Sequence, residues 1–213
     1  MISKAEKFWD KQAKRFDYSE RQSEPVYKEI IAKTRKHLNI NDNVLDFGCA
    51  TGTKTIELAR GSKHIHGLDI STEMIRNAIK KKDEANIMNI SFSKGTIFDD
   101  DFEKSSFDKI IAYAIIHLLE DSEKVIQRIH ELLRPGGLFI STTACFKDKL
   151  AFKSRFEVTT YLFMKRLGIS PLHLNMFMPA DVEKLIEDQN FQIVEAEKIF
   201  HRITASFIVA RKL

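Results

Sequence analysis

The stretch Val44–Thr55, VLDFGCATGTKT, runs an apolar segment into Asp46 and then into two glycines four residues apart, Gly48 and Gly52. Glycines there admit a positive φ and let a ligand approach the backbone with no Cβ in the way. A second apolar segment, HIHGLDI, ends at Asp69, 21 residues beyond Gly48. An acid at that separation, closing the neighbouring strand, can take both hydroxyls of a ribose. The loop is not a dinucleotide fingerprint, because Ala50 and Thr53 stand where GxGxxG wants glycines. It is not a triphosphate loop either, because Thr53 precedes Lys54 where Gly-Lys-Ser/Thr is needed. The chemistry these residues allow is nucleoside binding without a pyrophosphate.

Such a pocket needs parallel strands that place the two acids side by side. The chain alternates short apolar runs with amphipathic stretches. NVLDFG, HIHGLDI, NISFSKG, FDKIIAYAI and LFISTT read as buried strands. TKTIELARG, closed by Gly61, and STEMIRNAIKKKDEA, with Ser71 as N-cap, read as helices between them. DSEKVIQRIHELLRPGG is a third helix, for which RPGG is the stop signal. After the helix MPADVEKLIEDQNF, the runs QIVEAEKIF and ITASFIVARK read as a paired hairpin. The pattern predicts one α/β domain over residues 1–213. It is Rossmann-like and doubly wound, a mostly parallel seven-stranded sheet with an antiparallel C-terminal hairpin and a helical cap.

The motif order resembles the class I S-adenosylmethionine-dependent methyltransferases over nearly the whole chain. VLDFGCATG is similar to that family's first motif and GLDIS to its second. SFDKIIAYAIIHLLED is similar to its fourth-strand motif and LLRPGGLFIST to the approach to its fifth strand. The opening FWDKQAKRFD and the ending FIVARK resemble the small-molecule branch, which includes quinone-biosynthesis methyltransferases. The resemblance implies S-adenosyl-L-methionine as cofactor. It places Gly48, Cys49, Ala50 and Gly52 along the methionine part and Asp46 on its amino group. It puts Asp69 on the ribose, Ile70 against the adenine, and the backbone of Ala112 near the methionine end. Ala50 stands where the family has glycine, and its methyl fits if φ stays negative. Thr96 stands where GD is usual, so Thr96, Ile97 or Asp99 could each read the adenine. His117 is the candidate base, its alternative being a structural histidine; Tyr113 and His173 are further wall candidates. No metal is implied, and FDD at Phe98–Asp101 reads as a turn.

Charge locates the acceptor. Residues 1–36 hold ten Lys/Arg against six Asp/Glu, and residues 147–166 hold six against two, within a net charge of +4. In the family these segments, here 1–36 and 147–178, cover the acceptor site. Phe152, Phe156, Phe163 and Leu167 fall near one helical face of the insert. That face either covers the sheet edge beneath solvated lysines or forms a lid for a hydrophobic or anionic acceptor, with peripheral membrane contact. The expected partner is a small-molecule acceptor, with nucleic acid disfavoured. A tRNA or protein methyltransferase, or a cofactor-binding protein without transferase activity, are the alternatives. Two distant cysteines, Cys49 and Cys145, and a charged start without a signal-peptide core point to a reducing, cytoplasmic compartment.

Overall fold

The computed structural model describes residues 3–166 and 173–213. In chain order the elements are α1 (Lys4–Arg21), α2 (Glu24–Arg35), β1 (Asn43–Phe47), α3 (Thr53–Leu58), β2 (His64–Asp69), α4 (Thr72–Glu84) and β3 (Ile90–Lys94). There follow β4 (Phe107–Tyr113), α5 (Ser122–Leu132), β5 (Leu133–Ala144), α6 (Phe152–Arg166), α7 (Pro179–Glu187), β6 (Phe191–Phe200) and β7 (Thr204–Lys212). The seven strands form one sheet in the order β3-β2-β1-β4-β5-β7-β6. The first five pair in parallel, and β7 runs antiparallel to both β5 and β6. This is the predicted architecture, and its strand order reverses between β1 and β4, where a ligand crevice is expected.

Alternation along the strands builds two cores. Leu45, Ile110, Ala112 and Ile208 face one side with Ile126 and Ile129 of α5 and Val182 and Ile186 of α7. Val44, Ile111, Tyr113 and Val209 face the other with Ile30 and Ile31 of α2 and Leu58 of α3. Strands buried on both faces cannot alternate apolar with polar, which is why they read as unbroken apolar runs.

Two boundaries differ from the sequence reading. The RPGG stop does not lie between helix and strand: β5 begins at Leu133, directly after α5, and pairs Phe107 with Leu133. A register shift before Lys109↔Leu138 absorbs Arg134–Gly137, and Gly136 takes φ +74. The helix TKTIELARG is α3 followed by a 3-10 turn over Ala59–Gly61. Within the insert 147–178, only α6 is helical among the described residues, and Leu167 lies outside them. No described helix is long and apolar enough to cross a membrane.

Candidate active site

The loop after β1 is pinned by its own backbone. The N–H groups of Gly48 and Cys49 both donate to the Leu68 carbonyl of β2, at 2.8 and 3.1 Å. Gly48 and Gly52 sit at φ +75 and +73. A Cβ on Gly48 would lie 2.5 Å from Ile115 Cδ1, and one on Gly52 would lie 2.7 Å from Phe92. Both glycines are therefore required by backbone and packing. Ala50 is also left-handed, at φ +49. The condition that its φ stay negative is not met: the loop turns at two left-handed glycines, and Ala50 between them is left-handed too. Ala114, just past β4 on the other side of the crevice, repeats this with φ +53.

Turning this way aims the Ala50 N–H at Asp69 Oδ2, 3.0 Å away. The Ser71 N–H holds Oδ1 at 2.9 Å. Burial pushes the Asp69 carboxyl up, and the N–H groups of Ser71, Ala50 and Ile70 pull it back. Asp46 is 2% exposed. Burial raises its pKa to about 6, against the Thr55 hydroxyl, which donates to Oδ2 at 2.6 Å and lowers it. Both acids line one cavity of about 600 Å³ at the strand-order reversal, a volume usual for small-molecule sites.

Gly48, Cys49, Ala50, Ile70, Thr96, Ile97 and His117 line the same cavity. Gly52 and Ala112 do not. Gly52 serves as the N-cap of α3. Ala112 lies inside β4, fully buried in the core, and its neighbours Tyr113, Ala114 and Ile115 reach the cavity instead. Thr96 and Asp99 close on each other: the Thr96 N–H and hydroxyl donate to the Asp99 carboxylate at 3.0 and 2.6 Å. Asp99 is thus spent on its own turn, leaving Thr96, Ile97 and the half-exposed Phe98 at the wall. Cys49 is buried, and burial holds its thiol well above the usual range, so it packs as a small apolar group.

His117 sits in a 3-10 turn, Ile116–Leu118, beyond β4. Its Nδ1 accepts the Ala144 N–H at 3.4 Å, which assigns the ring proton to Nε2. Phe146 meets the ring edge-on, and burial lowers the pKa to about 4. The insert returns over this turn. Asn175 donates its N–H to the His117 carbonyl and its Nδ2–H to the Leu119 carbonyl, both at 2.7 Å, and hydrogen bonds His173 at 2.8 Å. His173 lines the cavity, whereas no residue of α6 among those described does.

Helix α1 closes the remaining side with Ala5, Trp9 and Phe16. It is tethered by acids. Asp10 Oδ1 accepts the Ser71 hydroxyl at 2.6 Å and the Glu73 N–H at 3.1 Å, capping α4 from outside. Asp17 accepts Lys81 and the Thr51 hydroxyl at 2.7 and 2.5 Å. Glu6 meets Lys94 at 2.5 Å, and Glu20 meets Lys54. These tethers were missed from sequence, although their signal was present: Glu6, Asp10, Ala13, Asp17 and Glu20 recur at four- and three-residue steps, an inward seam in which acids replace apolar residues. The cations Lys4, Lys7, Lys11, Lys14 and Arg15 are all exposed, so much of the N-terminal positive excess is a solvated face.

The donor set fits a nucleoside carrying an amino acid tail. Buried Asp46 and half-buried Asp69 face the cavity for hydroxyl or ammonium donors, and apolar Ile70, Ile97 and Phe98 offer a slot for a flat base. Comparisons with known proteins agree. A family described as a methyltransferase domain matches residues 38–203. The chain is 27% identical over 208 residues to the carboxy-S-adenosyl-L-methionine synthase of Desulfotalea psychrophila, covering 85% of this chain and 82% of that protein. It is 30% identical over 142 residues to the demethylmenaquinone methyltransferase of Lactococcus lactis, covering 64% and 56%. Its fold matches Haemonchus contortus phosphoethanolamine N-methyltransferase 2, solved with phosphomonomethylethanolamine and S-adenosylhomocysteine. The TM-score is 0.70 at 16% identity, over 87% of this chain and 53% of that one.

Proposed function

This chain belongs to the methyltransferase-domain family and is an S-adenosylmethionine-dependent methyltransferase, and from that premise we propose that its acceptor is a small, apolar molecule. The observation that carries this is the wall of the cavity away from the two acids. Trp9, Phe16, Tyr113, Ile115, Leu118 and Leu119 line it, together with the acid Glu120 and with His173. The cation lining the cavity, Lys54, is already paired with Glu20. That favours an apolar acceptor over an anionic one.

The cofactor supplies a methyl group on a positively charged sulfur, ready for in-line displacement. The protein's part is to hold, align and dry the two reactants. In this reading Asp69 takes the ribose hydroxyls, while Asp46 and the Gly48–Ala50 loop hold the amino acid end. Ile70 and Ile97 sandwich the base, with Thr96 at its edge. Ala114 and Ile115 take the position expected of Ala112. His117 donates from Nε2 to orient the acceptor, since its Nδ1 is occupied and its burial keeps it neutral. Phe146 and His173 bring the insert to the acceptor side from its two ends.

Transfer of labelled methyl groups tests the reading. The acceptors compared are apolar phenols and fatty acids, polar amines such as phosphoethanolamine, bulk tRNA, and denatured protein. Turnover confined to the apolar acceptors is expected. Labelling of tRNA or protein at a higher rate than any small acceptor overturns it. The demethylmenaquinone methyltransferase among the relatives acts, by its name, on a quinone precursor, which supports including apolar phenols.

A further inference from the structure

Helix α6 faces the wrong way for a lid. Phe152, Phe156 and Phe163 are 91%, 73% and 63% exposed. At 3.6 residues per turn they fall within about 40° of one another around the helix. The opposite face carries the packing, where Ser154 and Val158 are buried. A stripe of three exposed phenylalanines amounts to several hundred Å² of apolar surface, at roughly 150–250 Å² per aromatic side chain. Contiguous exposed patches of that size mark interaction sites. Leu162 and Met164, less exposed, lie roughly 80° to either side of it, between the stripe and the packed face.

Charge says what covers the stripe. Arg155 and Arg166 border it on one side and Lys153 on the other, within roughly 40–100°, and all three are exposed. Lys147 and Lys149 precede it, exposed as well. Among the described residues none of these five has an ion-pair partner. The helix's one acid, Glu157, is neutralised by Arg202 at 3.0 Å. A second copy pairing through this face would set cations against cations, and the centres of protein interfaces are depleted of charge. An anionic bilayer complements both parts: rings enter the acyl boundary while Lys and Arg stay with the headgroups.

We propose that α6 docks this methyltransferase on an anionic membrane surface, from which an apolar acceptor reaches the cavity. This rests on the reading of the acceptor as apolar. The coupling is structural. The insert is clamped to the body on either side of α6, where Ala151 N–H donates to the Arg202 carbonyl at 2.8 Å and Asn175 N–H to the His117 carbonyl at 2.7 Å. The same insert supplies His173 to the cavity wall. Helix and pocket wall therefore approach a surface as one piece.

Flotation with the full chain tests this, using vesicles of phosphatidylcholine alone or mixed with phosphatidylglycerol. Binding to the anionic vesicles only, weakened by salt, is expected. K153E/R155E/R166E should lower partitioning by at least about a hundredfold, at roughly fivefold for each cation lost and more for the repulsion of each added carboxylate. F152S/F156S/F163S should abolish it. Neither variant touches the cavity, so unchanged S-adenosylmethionine affinity by calorimetry certifies the fold. Equal binding to both vesicle types, or no binding to either, overturns the proposal. A stable dimer by light scattering that F152S/F156S/F163S dissociates also overturns it and makes the face a self-interface. Apolar acceptors methylated in solution without vesicle binding sink the docking surface alone. Vesicle binding with turnover only on polar acceptors sinks the acceptor reading alone.

Discussion

Replacing Asp46 with Asn should stabilise the cofactor-free protein while crippling cofactor binding. The Asp46 carboxyl is buried, and its pKa of about 6 stands above the ordinary 3.8. That gap corresponds to about 3 kcal/mol by which burial disfavours the charged form at neutral pH. An Asn at 46 keeps an oxygen for the Thr55 hydroxyl and carries no charge. At about pH 7.5 the variant should gain about 2–3 kcal/mol, or roughly 5–10 °C in Tm for a chain of this size. The pH dependence has a definite sign. A raised carboxyl pKa means that the protonated form favours folding below about pH 4, and this contribution is lost as pH rises through about 6. The variant's advantage should therefore shrink toward zero near pH 4, other titrating groups being common to both proteins. Cofactor reverses the order. A charge-assisted hydrogen bond to its ammonium is worth about 1.5–3 kcal/mol, so binding by Asp46→Asn should weaken about 10–100-fold. Thermal unfolding at two pH values, with calorimetric titration of S-adenosylmethionine, measures both. A variant less stable than its parent at pH 7.5 without cofactor refutes the burial argument. Unchanged affinity refutes the role of Asp46.

Three further outcomes follow from the same geometry. Ala50→Gly should raise stability by about 0.5–1 kcal/mol, the relief of a left-handed non-glycine residue less the added chain entropy. Gly48→Ala should lower it by about 1–3 kcal/mol, and denaturant melts that rank the two the other way would contradict the loop geometry. Asp10→Ala removes the outside cap on α4. Amide exchange in α1 and in the first turn of α4 should accelerate while β1 and β2 stay protected, and uniform protection in α1 would rule out a tether. His117→Asn should keep most of the turnover that His117→Ala loses, and at saturating cofactor the parent should show no titration between about pH 8 and 5.5 that the Asn variant lacks, because the His117 ring is neutral throughout. A titration midpoint near 6.5 that the Asn variant abolishes would restore His117 as a base.

The two acids of the cavity were legible because parallel strands buried on both faces leave unbroken apolar runs, and the polar residues that end them stand out. Asp46 and Asp69 stood out for that reason. Ala112 was placed one step short, since the end of a strand depends on where pairing with β5 stops, at Tyr113↔Thr142. The φ of Ala50 was not legible, because nothing in an alanine reports the left-handed conformation it shares with Gly48 and Gly52. Helix α1 misled by chemistry: its inward seam is acidic, and apolar periodicity is blind to a helix held by ion pairs. For α6 the spacing of Phe152, Phe156 and Phe163 was read correctly as one face. Which way that face points depends on Ser154 and Val158, whose small size gives no hint that they carry the packing.

Each catalytic cycle requires one cofactor to enter and one spent cofactor to leave, and α1 lies across the way. Only Glu6 and Ala13 of its residues are buried. What restrains it is a row of separate electrostatic fasteners to α4, β3 and the glycine loop. Such a row can let go without disturbing the sheet, so the frequency of exchange is decoupled from the stability of the fold. It is also tunable from outside. Ions screen partly exposed charge pairs, so raising the salt content of the surroundings should loosen this door while leaving the room behind it unchanged.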